Sequence, residues 1–176
     1  MGAKQPVRMA VAGGVRGSSY IKSMLMMPDK VQLAAVCDLN EAVLNDWTTK
    51  VPGIKTYTSF ETLMNEPDID AVLLATPMML HARQAVQAMQ AGKHVLSEVA
   101  AAHTIEDCWQ LVETAEQTGM IYMMAENFNY FRLNMMVKNM TDQGVFGELT
   151  HAETADGYIR IALPEVAGYM MVVVER

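Results

Sequence analysis

The residues with the clearest chemical potential are a glycine cluster near the start of the chain and an acid that follows it. An apolar segment at 7–12 runs directly into Gly13, Gly14 and Gly17, and a second apolar run ends at Asp38. Glycines at a strand-to-helix turn let backbone N–H groups approach a diphosphate, and an acid closing the next strand accepts hydrogen bonds from a ribose. The spacing predicts a dinucleotide-binding βαβ unit.

The glycine motif is incomplete, so its context supports the prediction. In one register Ala12 stands where the first glycine of G-x-G-x-x-G belongs, and in the other register the loop is one residue shorter. For the glycines alone, an ordinary tight turn is the alternative. A predicted strand, the turn, a helix over 18–27 and a strand over 31–37 follow in the required order, which favours a cofactor site.

Length and charge limit the classes of function. The chain has 176 residues and a formal net charge of −7. This length suits one well-cored domain, and the acidic balance argues against nucleic acid or an anionic membrane as partner. Because no apolar run is long enough to span a bilayer, we expect a soluble, cytoplasmic protein.

The sulfur-containing residues are expected to be structural. Cys37 and Cys108 are predicted to be reduced core residues, and we expect no metal site. The chain contains 17 methionines, several in adjacent pairs at 26–27, 123–124 and 135–136. Adaptable core packing is the expected role of these pairs, whereas a pair at 78–79 is predicted to border the cofactor.

Short apolar strands alternate with amphipathic helices beyond Asp38, which predicts an α/β fold with a doubly wound, mostly parallel sheet and helices on both faces. Further strands are expected at 54–57, 71–75, 94–97 and 121–125, and helices at 40–49, 60–65, 80–91, 104–118 and 131–143, caps included. We predict one dinucleotide-binding domain over 1–149 and a short start of another domain, or a tail, over 150–176.

Six segments occur in a characteristic order. They are A-G-G-V-R-G at 12–17, C-D at 37–38, Y-T-S-F-E-T-L at 57–63, A-T-P-M-M-L-H at 75–81, A-G-K-H-V-L-S-E at 91–98 and G-V-F-G-E-L at 144–149. Over nearly all of residues 7–160 the chain resembles the N-terminal half of the glucose-fructose oxidoreductase, inositol dehydrogenase and MocA (Gfo/Idh/MocA) family. The resemblance implies a Rossmann domain that binds NAD or NADP. It also implies a second domain, missing here, which supplies most of the substrate site and the oligomer contact.

One departure from the family pattern concerns proton transfer. The usual segment after the fifth strand is E-K-P, with a lysine that handles the substrate proton, whereas this chain has Glu98, Val99 and Ala100. Together with A-E-N at 125–127 and Tyr130, this version is similar to a subgroup that includes NAD-dependent α-N-acetylgalactosaminidases. In those enzymes bound NAD oxidises one sugar carbon, the leaving group is eliminated, water adds and the hydride returns.

The glycine turn and the resemblance together define the expected site. The predicted cofactor contacts are Gly13, Gly14, Val15, Arg16, Gly17, Ser18, Asp38, Thr76, Pro77, Met78, Met79, Leu80, His81, Glu98, Val99 and Asn127. Tyr130 and Tyr158 are candidate substrate contacts, each with a packing role as the alternative. No catalytic residue is assigned. The alternatives are a turn or cap role for Asp38, a loop or cap role for Glu98, solvent exposure for Arg16, and a surface or helix-start position for His81.

Three functions are consistent with these residues. The first is a nicotinamide-dependent oxidoreductase domain for a sugar or polyol, the second is a redox-assisted glycosidase, and the third is a non-catalytic dinucleotide-binding module. Asp38 predicts NAD in preference to NADP, because a carboxylate repels a 2′-phosphate. Without a second domain we expect the chain alone to be inactive and to self-associate as a homo-oligomer, with exposed strand edges near 172–174.

Overall fold

The computed structural model describes residues 5–148, 151–155, 158–162 and 169–173, the last three ranges as backbone strands. The strands are β1 (Val7–Ala12), β2 (Val31–Cys37), β3 (Lys55–Tyr57), β4 (Ala71–Leu74), β5 (His94–Ser97), β6 (Tyr122–Met124), β7 (His151–Ala155), β8 (Tyr158–Ala162) and β9 (Tyr169–Val173). The α-helices are α1 (Gly14–Gly17), α2 (Ile21–Leu25), α3 (Glu41–Lys50), α4 (Phe60–Met64), α5 (His81–Gln90), α6 (Ile105–Thr118) and α7 (Arg132–Asp142).

The chain divides into two compact units, Met1–Ala125 and Glu126–Arg176. The first unit is a parallel six-stranded sheet with the order β3-β2-β1-β4-β5-β6. In this order the chain starts at the centre of the sheet and winds outward twice, which is the arrangement of a Rossmann fold. The predicted doubly wound α/β class is therefore confirmed.

Both faces of this sheet are covered by helices. Alternate residues of β1 point to opposite sides, so that Ala10 packs in one cluster with Met89 of α5 and Val11 packs in another with Trp47 of α3. All four residues of β4 are buried, as expected for an apolar strand that is covered on both faces. Burial of each large apolar side chain contributes about 1.5–3 kcal/mol to folding.

An ion pair joins the amino-terminal ends of the two central strands, β1 and β4. Arg8 in β1 contacts Asp70, which precedes β4, at 2.7 Å, and its backbone N–H donates to the same carboxylate at 2.8 Å. The hydrogen bonds from Arg8 lower the pKa of Asp70 to about 2. This contact lies on the edge of the sheet away from the strand carboxyl ends.

The helix after the glycine turn differs from the prediction. The sequence predicts it over 18–27, but α1 begins at Gly14, and a 3₁₀ turn at Ser18–Tyr20 separates it from α2. The hydroxyls of Ser18 and Ser19 donate to the carbonyls three residues earlier, at 2.8 and 2.9 Å, and such bonds compete with regular helical pairing. The helix thus starts directly at the turn, which places its first N–H groups there.

The second unit contains a 3₁₀ turn at Asn127–Tyr130, the helix α7 and an antiparallel sheet with the order β7-β8-β9. Phe146 is buried against Leu133, Val137 and Met140 on one side of α7. The compact units divide after Ala125, and the predicted domain boundary after residue 149 stays a prediction.

Two expectations about sulfur-containing residues are corrected by the structure. Cys37 is buried as expected, but Cys108 is exposed on α6. The methionine pairs at 26–27, 123–124 and 135–136 lie at exposed positions, so the core role predicted for them is wrong. Among the methionines whose side chains the structure describes, Met9, Met24, Met64 and Met89 are buried. These pairs lie in segments of apolar composition, but no other element covers their side chains in the part of the chain that the structure describes.

Within the described ranges, no helix is both long and apolar enough to cross a membrane. The same residues contain no group of three or more His, Cys, Asp or Glu side chains arranged to hold a metal ion.

Candidate functional site

A groove lies over the carboxyl ends of the central strands in the first unit. Its first chamber has a volume of about 460 Å³, and its second chamber has a volume of about 350 Å³. The first chamber is lined by Gly13, Val15, Arg16, Asp38, Ala75, Thr76, Pro77, Met78, His81, Glu98 and Val99. Ten of these eleven residues belong to the predicted cofactor set, so the fold brings together segments far apart in the chain.

The second chamber adjoins the first one. The two chambers share Gly13, Asp38, Thr76 and Pro77. The residues that line only the second chamber are Ala12, Cys37, Leu39, Thr58, Phe60, Leu80 and Gln84. Of these, only Leu80 belongs to the predicted cofactor set. Ala12, Cys37, Thr58 and Phe60 lie in the segments that carry the family resemblance but have no predicted cofactor contact, and Leu39 and Gln84 lie outside those segments.

The glycine turn is held tightly against the sheet. Gly13 has φ of +88°, and a Cβ at this position would lie 2.3 Å from the carbonyl oxygen of Ala75. A Cβ at Gly17 would lie 2.3 Å from Cγ1 of Val11 in β1. Any side chain at these two positions would lift α1 from the strands, so the glycines set how closely the helix start approaches the groove.

Trp47 supports the turn from below. The ring is fully buried, and its Nε1–H donates to the carbonyl oxygen of Gly14 at 2.9 Å. A Cβ on Gly14 would lie 2.9 Å from that nitrogen. No sequence motif indicates this contact, because Trp47 lies on α3 and reaches the turn only through packing between helices.

Asp38 connects the glycine turn to the start of α3. Its Oδ2 accepts the N–H of Gly14 at 2.8 Å, and its Oδ1 accepts the N–H of Asn40 at 2.9 Å. The carboxylate also lines both chambers, and each of its oxygens retains a further lone pair. A structural role at the turn and an open position in the groove therefore coexist.

The residue before Asp38 is an unreactive thiol. Burial is the main cause that raises the pKa of Cys37 to about 11, and the negative charge of Asp38 is a smaller cause. The protonated thiol therefore forms a neutral, apolar part of the second chamber at physiological pH.

Glu98 is buried at the opposite side of the first chamber. Its Oε1 accepts from Nε and Nη2 of Arg16 at 3.0 and 2.7 Å, and also from the hydroxyl of Tyr20. Arg16 is thus in an ion pair, whereas the sequence suggests either a phosphate contact or free solvent. Tyr20 is absent from the predicted set, although its position four residues after Arg16 places both side chains on one helical face.

His81 is buried behind the first chamber. Only 1% of the residue is exposed, its Nε2 lies 2.8 Å from the carbonyl oxygen of Thr76, and its Nδ1 lies 2.9 Å from that of Ala100. Both oxygens are acceptors only, so a neutral ring, which carries one N–H, donates to one of them, and the tautomer decides which. The Thr76 hydroxyl also donates to Gln84 of α5. His81 begins α5, as the helix-start alternative predicts, and it is not at the surface; its cofactor contact stays a prediction.

The remaining predicted residues have different positions. Met79 is exposed in the 3₁₀ turn at Met78–Leu80, and Ser18 follows α1. Asn127, Tyr130 and Tyr158 belong to the second unit, and their predicted contacts with cofactor or substrate stay predictions.

The donors and acceptors of the groove suit a dinucleotide. The first N–H groups of a helix have no acceptor within it, which leaves those of Val15 and Arg16 beside the first chamber as donors for a diphosphate. Asp38 and Glu98 offer carboxylate oxygens as acceptors, and Met78 and Val99 offer apolar surface. Residues and ligand chemistry therefore agree.

Comparison with known proteins gives the same result. Residues 7–126 match the model of the Gfo/Idh/MocA oxidoreductase family, described as having an NAD-binding Rossmann fold. Among solved structures, the WlbA dehydrogenase from Bordetella pertussis in complex with NADH and UDP-GlcNAcA aligns with a TM-score of 0.76 and 27% identity over 85% of this chain and 43% of that one. A scyllo-inositol dehydrogenase from Lactobacillus casei with bound NAD(H) and scyllo-inositol aligns with a TM-score of 0.75 and 25% identity, over 83% and 44% of the two chains.

A curated relative has higher sequence identity. The glycosyl hydrolase family 109 protein 1 from Shewanella sp. (strain ANA-3) is 43% identical over 159 aligned positions, and the match covers 85% of this chain and 34% of the relative. The chain thus spans about a third of the length of the curated relatives that it matches. The match to the family model over residues 7–126 covers the groove described above and most of the first unit. The chain therefore belongs to the Gfo/Idh/MocA oxidoreductase family and contains its NAD-binding Rossmann domain.

Proposed function

We propose that this domain binds NAD, in preference to NADP, as the cofactor-binding part of an enzyme that oxidises a sugar or polyol. The observation that carries the proposal is the two-chambered groove, in which the glycine turn lies between the carboxylates of Asp38, directly after β2, and Glu98, directly after β5. Turn donors, ribose acceptors and apolar contacts occur in the order in which a dinucleotide presents its groups.

Each chamber would hold one half of the cofactor. The diphosphate would lie at the N–H groups of Val15 and Arg16, and the adenosine half would enter the second chamber beside Phe60. Asp38 would accept the hydroxyls of the adenosine ribose, where its negative charge disfavours a 2′-phosphate. Glu98 and Val99 line only the first chamber and would contact the nicotinamide half.

The substrate class is proposed from relatives and from the chemistry of hydride transfer. NAD, when bound, accepts a hydride from a carbinol carbon, and the hydroxyl proton must pass to a base. The two dehydrogenase structures contain UDP-GlcNAcA and scyllo-inositol, which are rich in hydroxyl groups. Val99 stands where the family pattern has a lysine and cannot exchange a proton, so that base must be contributed by another residue.

A second candidate is glycoside cleavage without net oxidation, and Val99 is the observation that favours it. The 43% identity to a family 109 glycosyl hydrolase supports the same alternative. In this reaction the hydride taken from the sugar is returned after elimination and addition of water, so the cofactor is recycled. Oxidation and cleavage would use the same cofactor groove. They differ in the products, since oxidation leaves the hydride on the cofactor, whereas cleavage releases the leaving group and returns the hydride to the sugar.

Nucleotide binding tests the shared proposal. The buried Trp47 lies directly under the glycine turn, so NADH in the groove should quench its fluorescence by energy transfer. A Trp109→Phe variant removes the exposed tryptophan of α6 and isolates this signal. Saturable quenching by NADH, with weaker quenching by NADPH, is expected, and no quenching by either would refute the proposal.

Turnover assays distinguish the candidates. Net reduction of NAD with a sugar or polyol indicates oxidation, and cleavage of a glycoside without net reduction indicates the glycosidase. Because the chain spans about a third of its curated relatives, we expect neither reaction from this chain alone, as for a non-catalytic dinucleotide-binding module. Turnover by the isolated chain would show that the groove residues suffice.

We also propose that the chain self-associates through its second unit. Among the described strands, β9 pairs with β8 on one side and is an edge of the three-stranded sheet. An unpaired strand edge offers N–H and C=O groups to another chain. Light scattering should show a mass above that of the monomer, and a clean monomer at high concentration would contradict the proposal.

A further inference from the structure

His81 connects two segments that line the groove but are far apart in the chain. One ring nitrogen contacts the carbonyl oxygen of Thr76, after β4, and the other contacts that of Ala100, after β5. The ring is almost completely buried at the start of α5, so water does not replace it beside either carbonyl group. We propose that His81 is a positioning residue that sets the separation of these two segments and thereby shapes the first chamber.

The two contacts act on different parts of the groove. The segment at Thr76 and Pro77 lines both chambers, whereas Glu98 and Val99 line only the first chamber. The bond to Ala100 therefore positions only the residues assigned to the nicotinamide half. The bond to Thr76 is supported by a second contact, since the hydroxyl of Thr76 donates to Gln84. In the segment after β5, the backbone N–H of Glu98 donates to the carbonyl oxygen of Leu74 at 2.8 Å, so His81 acts on the residues beyond this bond.

This inference rests on the proposed binding of NAD and concerns how that site keeps its shape. Glu98 can accept a ribose hydroxyl only if its backbone stays at a fixed distance from the glycine turn. The ion pair to Arg16 and the hydroxyl of Tyr20 orient its side chain, while His81 holds the backbone two residues later. Loss of His81 should thus weaken binding of the nicotinamide half and leave the adenosine half in place.

Three substitutions separate the two bonds. His81→Phe keeps a buried ring and loses both. His81→Asn places an amide N–H near the position of Nδ1 and can restore the bond to Ala100, and His81→Gln reaches the position of Nε2 and can restore the bond to Thr76. His103→Phe changes an exposed histidine outside the groove and is the matched control.

The probes are NADH and ADP, because ADP carries the adenosine and diphosphate groups without the nicotinamide half. The substitution His81→Phe should lower the affinity for NADH by about ten-fold, since one net hydrogen bond corresponds to roughly a ten-fold change in affinity. It should lower the affinity for ADP by less than about two-fold. The His81→Asn variant should recover most of the wild-type affinity for NADH, and the His81→Gln variant should recover less of it. The control variant should bind both nucleotides like the wild type.

Several results would overturn the inference. Unchanged NADH binding in the Phe variant, equal losses for NADH and ADP, or no recovery by Asn would each show that His81 does not position the nicotinamide side. If the Phe variant fails to fold, the comparison of Asn with Gln decides the question.

Hydrogen exchange without nucleotide separates this inference from the proposed function. The Phe variant should exchange amides at 98–100 faster than the wild type, and unchanged exchange refutes the contact itself. If the wild type binds neither nucleotide, the proposed function fails and the positioning role fails with it, whereas normal wild-type binding with an unaffected Phe variant refutes the positioning role alone.

Discussion

The substitution Asp38→Asn tests whether this carboxylate selects the cofactor. In the structure one carboxylate oxygen accepts the N–H of Gly14 at 2.8 Å and the other accepts the N–H of Asn40 at 2.9 Å. An asparagine keeps the size of the side chain and one acceptor, and it removes the negative charge from the groove. The change thus separates charge from shape at the point where NAD and NADP differ.

The expected magnitude follows from electrostatics. Two unit charges about 5 Å apart interact by about 3 kcal/mol at the effective dielectric constant near a protein surface, and solvent screening reduces this. We expect the affinity ratio of NADH to NADPH to fall by about ten- to a hundred-fold, equivalent to about 1.4–2.8 kcal/mol. The variant should also lose about 1.5–3 kcal/mol of stability, because its amide group faces a backbone donor where the carboxylate had an acceptor.

The assay is quenching of Trp47 fluorescence in titrations with NADH and NADPH, at one fixed ionic strength. Asp29→Asn is the control, because it removes the same charge from an exposed turn before β2. Urea unfolding establishes that both variants are folded under the conditions of the titration. A folded Asp38→Asn variant with the wild-type ratio would refute the role of the carboxylate in selection, whatever its affinity for NADH.

Three further predictions concern stability and reactivity. Gly13→Ala should lower the free energy of unfolding by about 3 kcal/mol or more, because it combines a positive φ with a Cβ against a backbone carbonyl group. Gly53→Ala is the control, since Gly53 also has a positive φ but open space around it, and it should lower the free energy of unfolding by about 1 kcal/mol. Equal losses in urea unfolding would contradict this prediction. Iodoacetamide should modify Cys108 in the native protein and spare Cys37, whose pKa is raised to about 11 by burial, so rapid modification of both thiols would refute the assignment. The pKa of Asp70 is about 2 in the folded protein and about 3.9 in the unfolded chain, so its ionised carboxylate contributes stability that is present above about pH 4 and is lost as the pH falls toward 2. Asp70→Asn should therefore reduce the fall of the free energy of unfolding between about pH 4 and 2. An unchanged pH dependence in this range would contradict the prediction.

The sequence by itself determined the layout of the first unit. The apolar periodicity of the strands, the glycine turn and the acids at 38 and 98 are local patterns, and parallel βαβ crossovers have one dominant handedness. Together these constraints predict a doubly wound sheet with Asp38 and Glu98 at the same edge, as observed. The predicted helix start at residue 18 is wrong because the helical φ and ψ values begin at Gly14, inside the glycine turn.

Only the tertiary structure decided what these residues contact. The contacts of Trp47 with Gly14, of Tyr20 with Glu98 and of His81 with Ala100 join residues 33, 78 and 19 positions apart, and no local pattern specifies them. Exposure of the methionine pairs was equally undetermined, because composition does not show which side of a helix or strand another element covers. Local backbone preferences are set by near neighbours in the chain, whereas burial and hydrogen-bond partners depend on how complete elements pack.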